Sequence, residues 1–461
     1  MMAENTIAAI ATAPGEAGIG IVRLSGEKSI HILDEIFKPT RKNSIKDYEP
    51  RRITHGKIID PHTQKIVDEV LVTYMKEPFT YTGEDVVEIN CHGGMVPVKN
   101  ILDLVLRQGA FMADRGEFTK RAFLNGRIDL SQAEAVMDMI KAKTSTGFHV
   151  ALNQLEGSLS NEVKVIRHDL LEVLAHITVN IDFPDEDIEE LTYDKLEKDS
   201  IKILEKVEKL LDTAHTGKIL KEGLNTVIIG KPNVGKSSLM NALLKESRAI
   251  VTDVPGTTRD IIEEIISIKG IPLRITDTAG IRETQDVVEK IGVERSKESF
   301  NKADLVIFIL NASEELSIED KEIMDKLKDK ETIILMNKTD LPNVIDLEEI
   351  KKLLPGKSII PISVKENKGL DLLEDKIVNM VYEGKVQRNE DSLVTNARHK
   401  RALEVGKTSM EEGIEAIRSG LALDFVEVDI KDCWESLGEI TGDTTSEDML
   451  DRIFSSFCIG K

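Results

Sequence analysis

The stretch GKPNVGKS at residues 230–237 decides the central fold of this 461-residue chain. It follows a β-branched run and precedes an apolar segment with helical spacing, which is the strand, loop and helix order of a phosphate-binding loop. Its glycines let backbone N–H groups approach phosphate oxygens, and the next helix N-terminus adds positive partial charge. The residues predicted to hold the nucleotide here are Asn233, Val234, Gly235, Lys236, Ser237 and Ser238.

A second motif, DTAG at residues 277–280, follows a later predicted strand. In the D-x-x-G pattern the aspartate holds a metal through water and the glycine amide reaches the γ-phosphate. We expect Lys236 to contact the β- and γ-phosphates, and Ser237 and Thr258 to supply oxygens to Mg²⁺. The predicted nucleotide-binding residues of this motif are Asp277, Thr278, Ala279 and Gly280.

A third motif, Asn337, Lys338, Thr339 and Asp340, selects the base. Guanine offers N1–H and an N2 amino group to a carboxylate such as Asp340, whereas adenine leaves that carboxylate unpaired at a cost of about 1–3 kcal/mol. The sequence Ser363-Val364-Lys365 is typical of the last loop of such a site, with valine at a position that is commonly alanine. The nucleotide predicted for this site is therefore GTP.

Apolar runs alternate with helix-like segments on both sides of the phosphate loop. The predicted strands are 225–229, 264–268, 273–276, 304–310, 332–336 and 358–362. This alternation predicts a mostly parallel sheet covered by helices. Helical spacing of Val163, Ile166 and Leu170, and of Leu403 and Met410, predicts that the sheet domain interrupts a helical domain whose halves pack together.

The predicted fold is a multidomain α/β protein. Residues 1–121 mix short strands with a helix over 97–108 and predict a small α+β domain. Residues 122–222 and 385–461 form the two halves of the helical domain, and residues 223–384 form the Ras-like P-loop domain. Ser131 and Glu134 predict a capping box where the helical texture begins.

Composition excludes several classes of protein. A net charge of −21 argues against a broad nucleic-acid-binding face, so any RNA contact is expected to be focused or shared with a partner. Three scattered cysteines argue for a reducing compartment. No stretch reads as a signal peptide or a membrane span, and we expect a cytoplasmic protein with no membrane partner.

The group that orients the attacking water is not fixed by the motifs alone. Ile281 follows the D-x-x-G motif and cannot hydrogen-bond water. Polar candidates downstream are Glu283, Asp286, Glu289 and Glu294. Arg259 or Arg282 acting as an arginine finger in cis is one way to stabilise transition-state charge.

The flanking motifs resemble the MnmE/TrmE family, the tRNA modification GTPases that act on the wobble uridine. The motifs that carry the resemblance are TIAA at 6–9, GIGIVR at 18–23, YTGED at 81–85, HGG at 92–94, RGEFTKRAFLNGR at 115–127, DFPDE at 182–186 and FCIGK at 457–461. Their order and spacing agree with a helical domain split by the P-loop domain, over essentially the whole chain.

The G domain also resembles potassium-activated GTPases, in which a monovalent cation replaces the arginine finger. This resemblance implies that Asn233, Thr252, Val254 and Thr257 hold K⁺, and it selects Glu289 as the catalytic carboxylate beside Lys236. The other nucleotide-contacting residues of the switch segment would be Thr252, Asp253, Val254, Pro255, Gly256, Thr257 and Thr258.

The family resemblance further implies a homodimer that binds a reduced folate, 5-formyl- or 5,10-methylene-tetrahydrofolate. Arg23, Glu88, Arg127 and Lys461 match the folate-contacting positions. Cys458, in the terminal C-x-G-K motif, has two interpretations: a buried small apolar residue or a thiol near the folate.

The family works with a flavoprotein, MnmG (GidA), in a heterotetramer. The pair installs a 5-carboxymethylaminomethyl or aminomethyl group on the wobble uridine of tRNA, with a tetrahydrofolate one-carbon unit. Two other functions remain open at this point: a ribosome-assembly or signalling GTPase, and a folate enzyme regulated by GTP.

Overall fold

The structure is a computed structural model that describes residues 5–41, 44–47, 49–182, 193–246, 263–276, 300–382 and 392–461. The chain divides into two compact units, one of residues 1–137 with 435–461 and one of residues 138–434. The domain boundaries given above remain a prediction. Within the described ranges, no helix combines the length and apolarity needed to cross a bilayer.

Helices account for much of both units. In chain order they are α1 (Ser29–Ile36), α2 (Met95–Arg107), α3 (Glu117–Leu124), α4 (Leu130–Lys141), α5 (Ser145–Leu155), α6 (Ser158–Asp182), α7 (Tyr193–Asp212), α8 (Ala214–Glu222), α9 (Lys236–Glu246), α10 (Ile318–Lys326), α11 (Leu347–Leu353), α12 (Leu370–Val381), α13 (Ala397–Arg418), α14 (Leu423–Thr441) and α15 (Glu447–Ser455).

The first unit is built on a seven-stranded sheet. Its strands are β1 (Ile7–Ile10), β2 (Ala17–Ser25), β3 (Phe37–Pro39), β4 (Thr54–Ile59), β5 (Ile66–Met75), β6 (Val86–Gly93) and β7 (Phe111–Met112), in the order β3-β4-β5-β6-β2-β1-β7. Neighbours are antiparallel except β1 and β7. Apolar residues of α1 and α2, such as Leu33 and Leu104, share one core with Leu24 and Ile89 of the sheet. The predicted α+β architecture is confirmed.

The second unit contains a six-stranded sheet. Its strands are β8 (Leu224–Ile229), β9 (Glu263–Ile268), β10 (Ile271–Thr276), β11 (Leu305–Asn311), β12 (Thr332–Asn337) and β13 (Ser358–Pro361), in the order β13-β12-β11-β8-β10-β9. Only β9 and β10 pair antiparallel. Every residue of β11 and β12 is buried, as expected of central strands covered on both faces. The mostly parallel sheet predicted from the alternation is therefore confirmed.

The helical part of the second unit brings together segments from both sides of this sheet in sequence. Helix α13 packs along α7, where Lys407 pairs with Glu208 at 2.7 Å and Arg418 pairs with Glu197 at 2.7 Å. Leu403 and Met410 of α13 are fully buried. The predicted packing of the two helical halves is confirmed.

The predicted capping box at Ser131 and Glu134 is wrong by two positions. Asp129 Oδ1 accepts from the Gln132 backbone N–H at 3.0 Å, and Gln132 Oε1 accepts from the Asp129 N–H at 2.9 Å. The reciprocal pair is therefore Asp129 and Gln132. Aspartate and glutamine serve as well as serine and glutamate in this geometry, which is why the pattern alone chose the wrong pair.

Candidate guanine-nucleotide site

The phosphate loop connects β8 to α9 at the edge of the sheet where the parallel strands end. Three of its residues have positive φ angles: Gly230 at 149°, Asn233 at 63° and Gly235 at 108°. A Cβ atom at position 235 would lie 2.3 Å from Asn337 Nδ2, so only glycine fits there. The loop conformation therefore depends on residue type at Gly235 and on the neighbouring strand end.

Lys236 is the first residue of α9, directly after the loop residue Gly235. Its Nζ donates to the backbone carbonyls of Gly230 and Lys231, both at 2.7 Å. Burial lowers the pKa of this ammonium, and the charge of Glu319 opposes that shift. A phosphate oxygen placed in the loop would replace these carbonyls as acceptors and would favour the charged lysine.

Asn337 connects three of the predicted motifs. Its Nδ2 donates to the Val234 carbonyl at 2.8 Å, and its Oδ1 accepts from the Val364 N–H at 3.2 Å. Asn337 is 4% exposed. One side-chain amide thus ties the phosphate loop, the base-selecting loop and the final loop together. Because Val364 contributes its backbone N–H, its departure from alanine leaves this contact intact.

Asp340, the last residue of the base-selecting motif, accepts a hydrogen bond through its carboxylate. Its Oδ1 accepts from Ser363 Oγ at 2.8 Å, and Lys365 Nζ lies 4.0 Å from Oδ2. The Ser363 hydrogen bond is the main reason that the pKa of Asp340 lies below its ordinary 3.8. An ionised carboxylate with a free acceptor position is the chemistry that guanine N1–H and N2 require.

Some of the remaining predicted residues of this site lie within the described ranges and others lie outside them. Asn233, Ser237 and Ser238 are exposed on the loop and at the start of α9, and Lys338 has a left-handed φ of 67°. Outside the described residues lie Thr252, Asp253, Val254, Pro255, Gly256, Thr257, Thr258, Asp277, Thr278, Ala279, Gly280 and Glu289, together with the alternatives Arg259 and Arg282.

The predicted folate residues lie in the first unit. Arg23 Nε donates to Glu88 Oε1 at 2.9 Å, and Arg23 Nη1 donates to the Gly460 carbonyl at 3.3 Å. The cross-strand pairing of β2 with β6 places Arg23 opposite Glu88. The structure therefore brings Arg23 and Glu88 together. Arg23 also contacts Gly460, the neighbour of Lys461 in the chain.

Arg127 lies near the same region, in the turn after α3. Its Nη1 donates to the Tyr81 carbonyl at 3.2 Å, and its guanidinium carbon lies 5.0 Å from the centre of the Tyr81 ring. The Arg23 guanidinium lies 6.0 Å from that ring. Both predicted folate arginines therefore lie beside the Tyr81 ring, a contact that the YTGED motif alone does not reveal.

Cys458 is exposed, so its interpretation as a buried apolar residue is wrong. That interpretation followed from the usual burial of cysteines and from the apolar neighbours Phe457 and Ile459. In the structure Phe457 is buried, whereas Cys458 and Ile459 face solvent. The predicted thiol role stays a prediction.

The sheet edge and its loops define a class of protein. A phosphate loop after the first parallel strand and an Asn-Lys-x-Asp loop after β12 together mark a P-loop guanine-nucleotide-binding protein.

Known proteins place the chain within that class. The family model described as MnmE helical domain matches residues 130–458, and the model described as GTP-binding protein TrmE N-terminus matches residues 6–127. A protein of Alkaliphilus metalliredigens called tRNA modification GTPase MnmE is 62% identical over 100% of both chains. One of the same name from Clostridioides difficile is 57% identical, again over 100% of both chains. The chain belongs to the MnmE family of tRNA modification GTPases.

A solved structure, the FeoB G-domain of Methanococcus jannaschii, is 26% identical over 34% of this chain and 96% of that chain. Its TM-score of 0.25 is too low to support a structural conclusion.

Proposed function

We propose that this chain hydrolyses GTP to GDP and phosphate in the cytoplasm and couples the reaction to modification of the wobble uridine of tRNA. The observation that carries the proposal is Asn337, whose amide joins the phosphate loop at Val234 to the final loop at Val364. This arrangement sets a phosphate cradle and the Asp340 carboxylate at one sheet edge, as a guanine nucleotide requires. Family membership supports tRNA as the substrate that is modified.

In the proposed reaction each group of the chain has a distinct task. Backbone N–H groups of the loop and the N-terminus of α9 bind phosphate oxygens, and Lys236 neutralises charge that develops on the transferred group. Asp340 accepts hydrogen bonds from the base. Glu289, chosen by resemblance, orients the attacking water, which Ile281 cannot hydrogen-bond.

The residues present suit the proposed metal ions. Ser237 offers an exposed hydroxyl at the start of α9, and hydroxyl oxygen is a ligand that Mg²⁺ accepts, with Thr258 as the second proposed oxygen. Asn233, exposed in the loop, offers an amide oxygen for K⁺ together with Thr252, Val254 and Thr257. When bound, the two ions would supply positive charge beside the phosphates.

The residues of the first unit suit the proposed reduced folate. Guanidinium groups of Arg23 and Arg127 and the ammonium of Lys461 match carboxylates of a glutamyl tail, and the Glu88 carboxylate matches the amino group of a pterin. The folate would supply the one-carbon unit. The proposal includes a homodimer, a heterotetramer with the flavoprotein MnmG (GidA), and installation of a 5-carboxymethylaminomethyl or aminomethyl group.

The first test is the GTPase rate in potassium and sodium chloride at equal ionic strength, over a range of protein concentration. We expect potassium to raise the rate, increasingly so at higher concentration, because the proposed cation site acts when G domains pair. Glu289→Ala should lose most of the activity in both salts. Equal rates in the two salts would remove the potassium site and favour Arg259 or Arg282, and full activity of Glu289→Ala would exclude its assigned role.

A further inference from the structure

A lysine inside the phosphate loop forms an ion pair with a buried carboxylate. Lys231, the second residue of the loop, places Nζ 2.8 Å from Asp320 Oδ2 and 3.9 Å from Glu314 Oε2. The Lys231 side chain is 15% exposed and that of Asp320 is 2% exposed. This ion pair is therefore removed from most of the solvent, unlike the many surface pairs of the chain.

The carboxylate that holds Lys231 is itself fixed in a helix cap. Asp320 Oδ2 also accepts from the Ser317 backbone N–H at 3.0 Å and from Ser317 Oγ at 2.8 Å. Ser317 Oγ in turn accepts from the Asp320 N–H at 3.3 Å, which completes a capping box at the start of α10. The ammonium is thus anchored to a rigid helix N-terminus, not to a freely rotating side chain.

The phosphate loop needs support at both of its ends. Its backbone takes positive φ angles at Gly230, Asn233 and Gly235, and conformations of this kind persist when surrounding contacts enforce them. The Asn337 amide holds the later half at the Val234 carbonyl. The Lys231 ion pair holds the earlier half, where the carbonyls of Gly230 and Lys231 also position Lys236.

We propose that Lys231 and Asp320 act together as a positioning pair that sets the phosphate loop for guanine-nucleotide binding. Neither side chain contacts the nucleotide in this proposal; the pair acts through the loop backbone. It deepens the proposed GTP-binding function and rests on it. Because the loop serves phosphates that GDP and GTP share, the pair supports binding of both nucleotides and leaves the choice of base to Asp340.

The test is a titration of the full-length protein with a fluorescent GDP derivative, which yields a dissociation constant and a stoichiometry. The variants are Lys231→Met, Asp320→Asn and their combination, with Lys321→Met as the control. Lys321 is the neighbour of Asp320 on α10, and its ion pair with Glu349 lies at the surface. Asp320→Asn keeps a side chain that can cap α10 while removing the charge.

Each single variant should weaken binding about tenfold, since contacting charged partners couple at this level, with the stoichiometry still one per chain. The dissociation constant of the double variant should be no higher than that of the single variant that binds the GDP derivative less tightly, because each change removes the same interaction. The control should bind like the wild type, and the preference for GDP over ADP should not change in any variant.

A purely structural role has a different signature. Loss of folded protein lowers the stoichiometry and leaves the dissociation constant of the folded fraction unchanged, and that result in Asp320→Asn or the double variant overturns the proposal. Additive effects of the two substitutions also overturn it. Lys231→Met leaves a buried carboxylate unpaired, so Asp320→Asn and the double variant carry the test if it fails to fold. If the wild-type protein does not bind the GDP derivative, that result contradicts the proposed function itself. The positioning pair, which rests on that function, is then contradicted as well.

Discussion

The Ser363 hydroxyl is the largest of several contacts that favour the ionised form of Asp340. Ser363 Oγ donates to its carboxylate at 2.8 Å and stabilises the ionised form, which places the pKa below 3.8. A carboxylate with a lowered pKa keeps its charge as the pH falls and loses it only at that lower value. Guanine recognition by Asp340 is therefore protected against mild acid.

Ser363→Ala should remove this protection. The pKa of Asp340 then rises, so affinity for GDP should begin to fall at a higher pH than in the wild type as the solution is acidified from pH 7. Titration of the nucleotide phosphates affects both proteins equally, and the difference between them isolates Asp340. Thr339→Val is the control, because the Thr339 hydroxyl donates to the Ile362 carbonyl and not to the carboxylate. Identical pH profiles for wild type and Ser363→Ala would contradict the assignment.

The three cysteines should differ sharply in reactivity. Burial raises the pKa of Cys91 to about 11 and that of Cys433 to about 12, whereas Cys458 is exposed. Because the thiolate is the reactive form, iodoacetamide at about pH 8 should modify one thiol of the native protein quickly. Mass spectrometry should locate the label at Cys458, and Cys458→Ser should abolish the fast phase. Rapid labelling of Cys91 would contradict the structure of β6.

Arg121 connects two motifs that the sequence presents separately. It lies on α3 with its side chain 8% exposed, and its guanidinium donates to both oxygens of Glu84 at 3.1 Å and to Glu117 at 2.8 Å. Glu84 also accepts from Ser25 of β2 at 2.7 Å. The YTGED and RGEFTKRAFLNGR motifs are therefore one structural assembly, which holds the loop that carries Tyr81.

Arg121→Met should destabilise the first unit by about 3 kcal/mol, because it leaves two partly buried carboxylates without their cation. Urea unfolding followed by circular dichroism measures the change. Lys120→Met is the matched control on the same helix, since the Lys120 pair with Asp451 is more exposed than the Arg121 pairs and should contribute less than about 1 kcal/mol. Equal stability of the two variants would show that the Arg121 assembly contributes no more than a surface pair.

The net charge of the whole molecule constrains how it meets tRNA. A charge of −21 repels a polyanion at long range, so the proposed contact with tRNA should neutralise few phosphates. We expect the logarithm of the binding constant to fall with the logarithm of salt concentration with a slope no steeper than about −3. Filter binding or fluorescence anisotropy between about 50 and 200 mM KCl measures this slope. A slope near −7 would require a broad basic face that the composition argues against.

The short motifs were readable from the sequence because their chemistry is local. The phosphate loop, the D-x-x-G motif and the Asn-Lys-x-Asp motif each consist of contiguous residues, and β-branched runs between helical segments predict the sheet at β8 to β13 without knowledge of contacts. The predicted capping pair Ser131 and Glu134 and the observed pair Asp129 and Gln132 satisfy the same local rule, so residue type alone does not distinguish them.

The sequence by itself determined the class of fold, the nucleotide and the family, since these depend on residue order and spacing. Only the tertiary structure decided that Lys231 meets Asp320, that Arg121 meets Glu84 and that Asn337 reaches Val234, the last across 103 residues. A charged or amide side chain can pair with any of dozens of partners along the chain. Which partner it meets depends on how strands and helices pack, and that packing is not written in any short stretch of sequence.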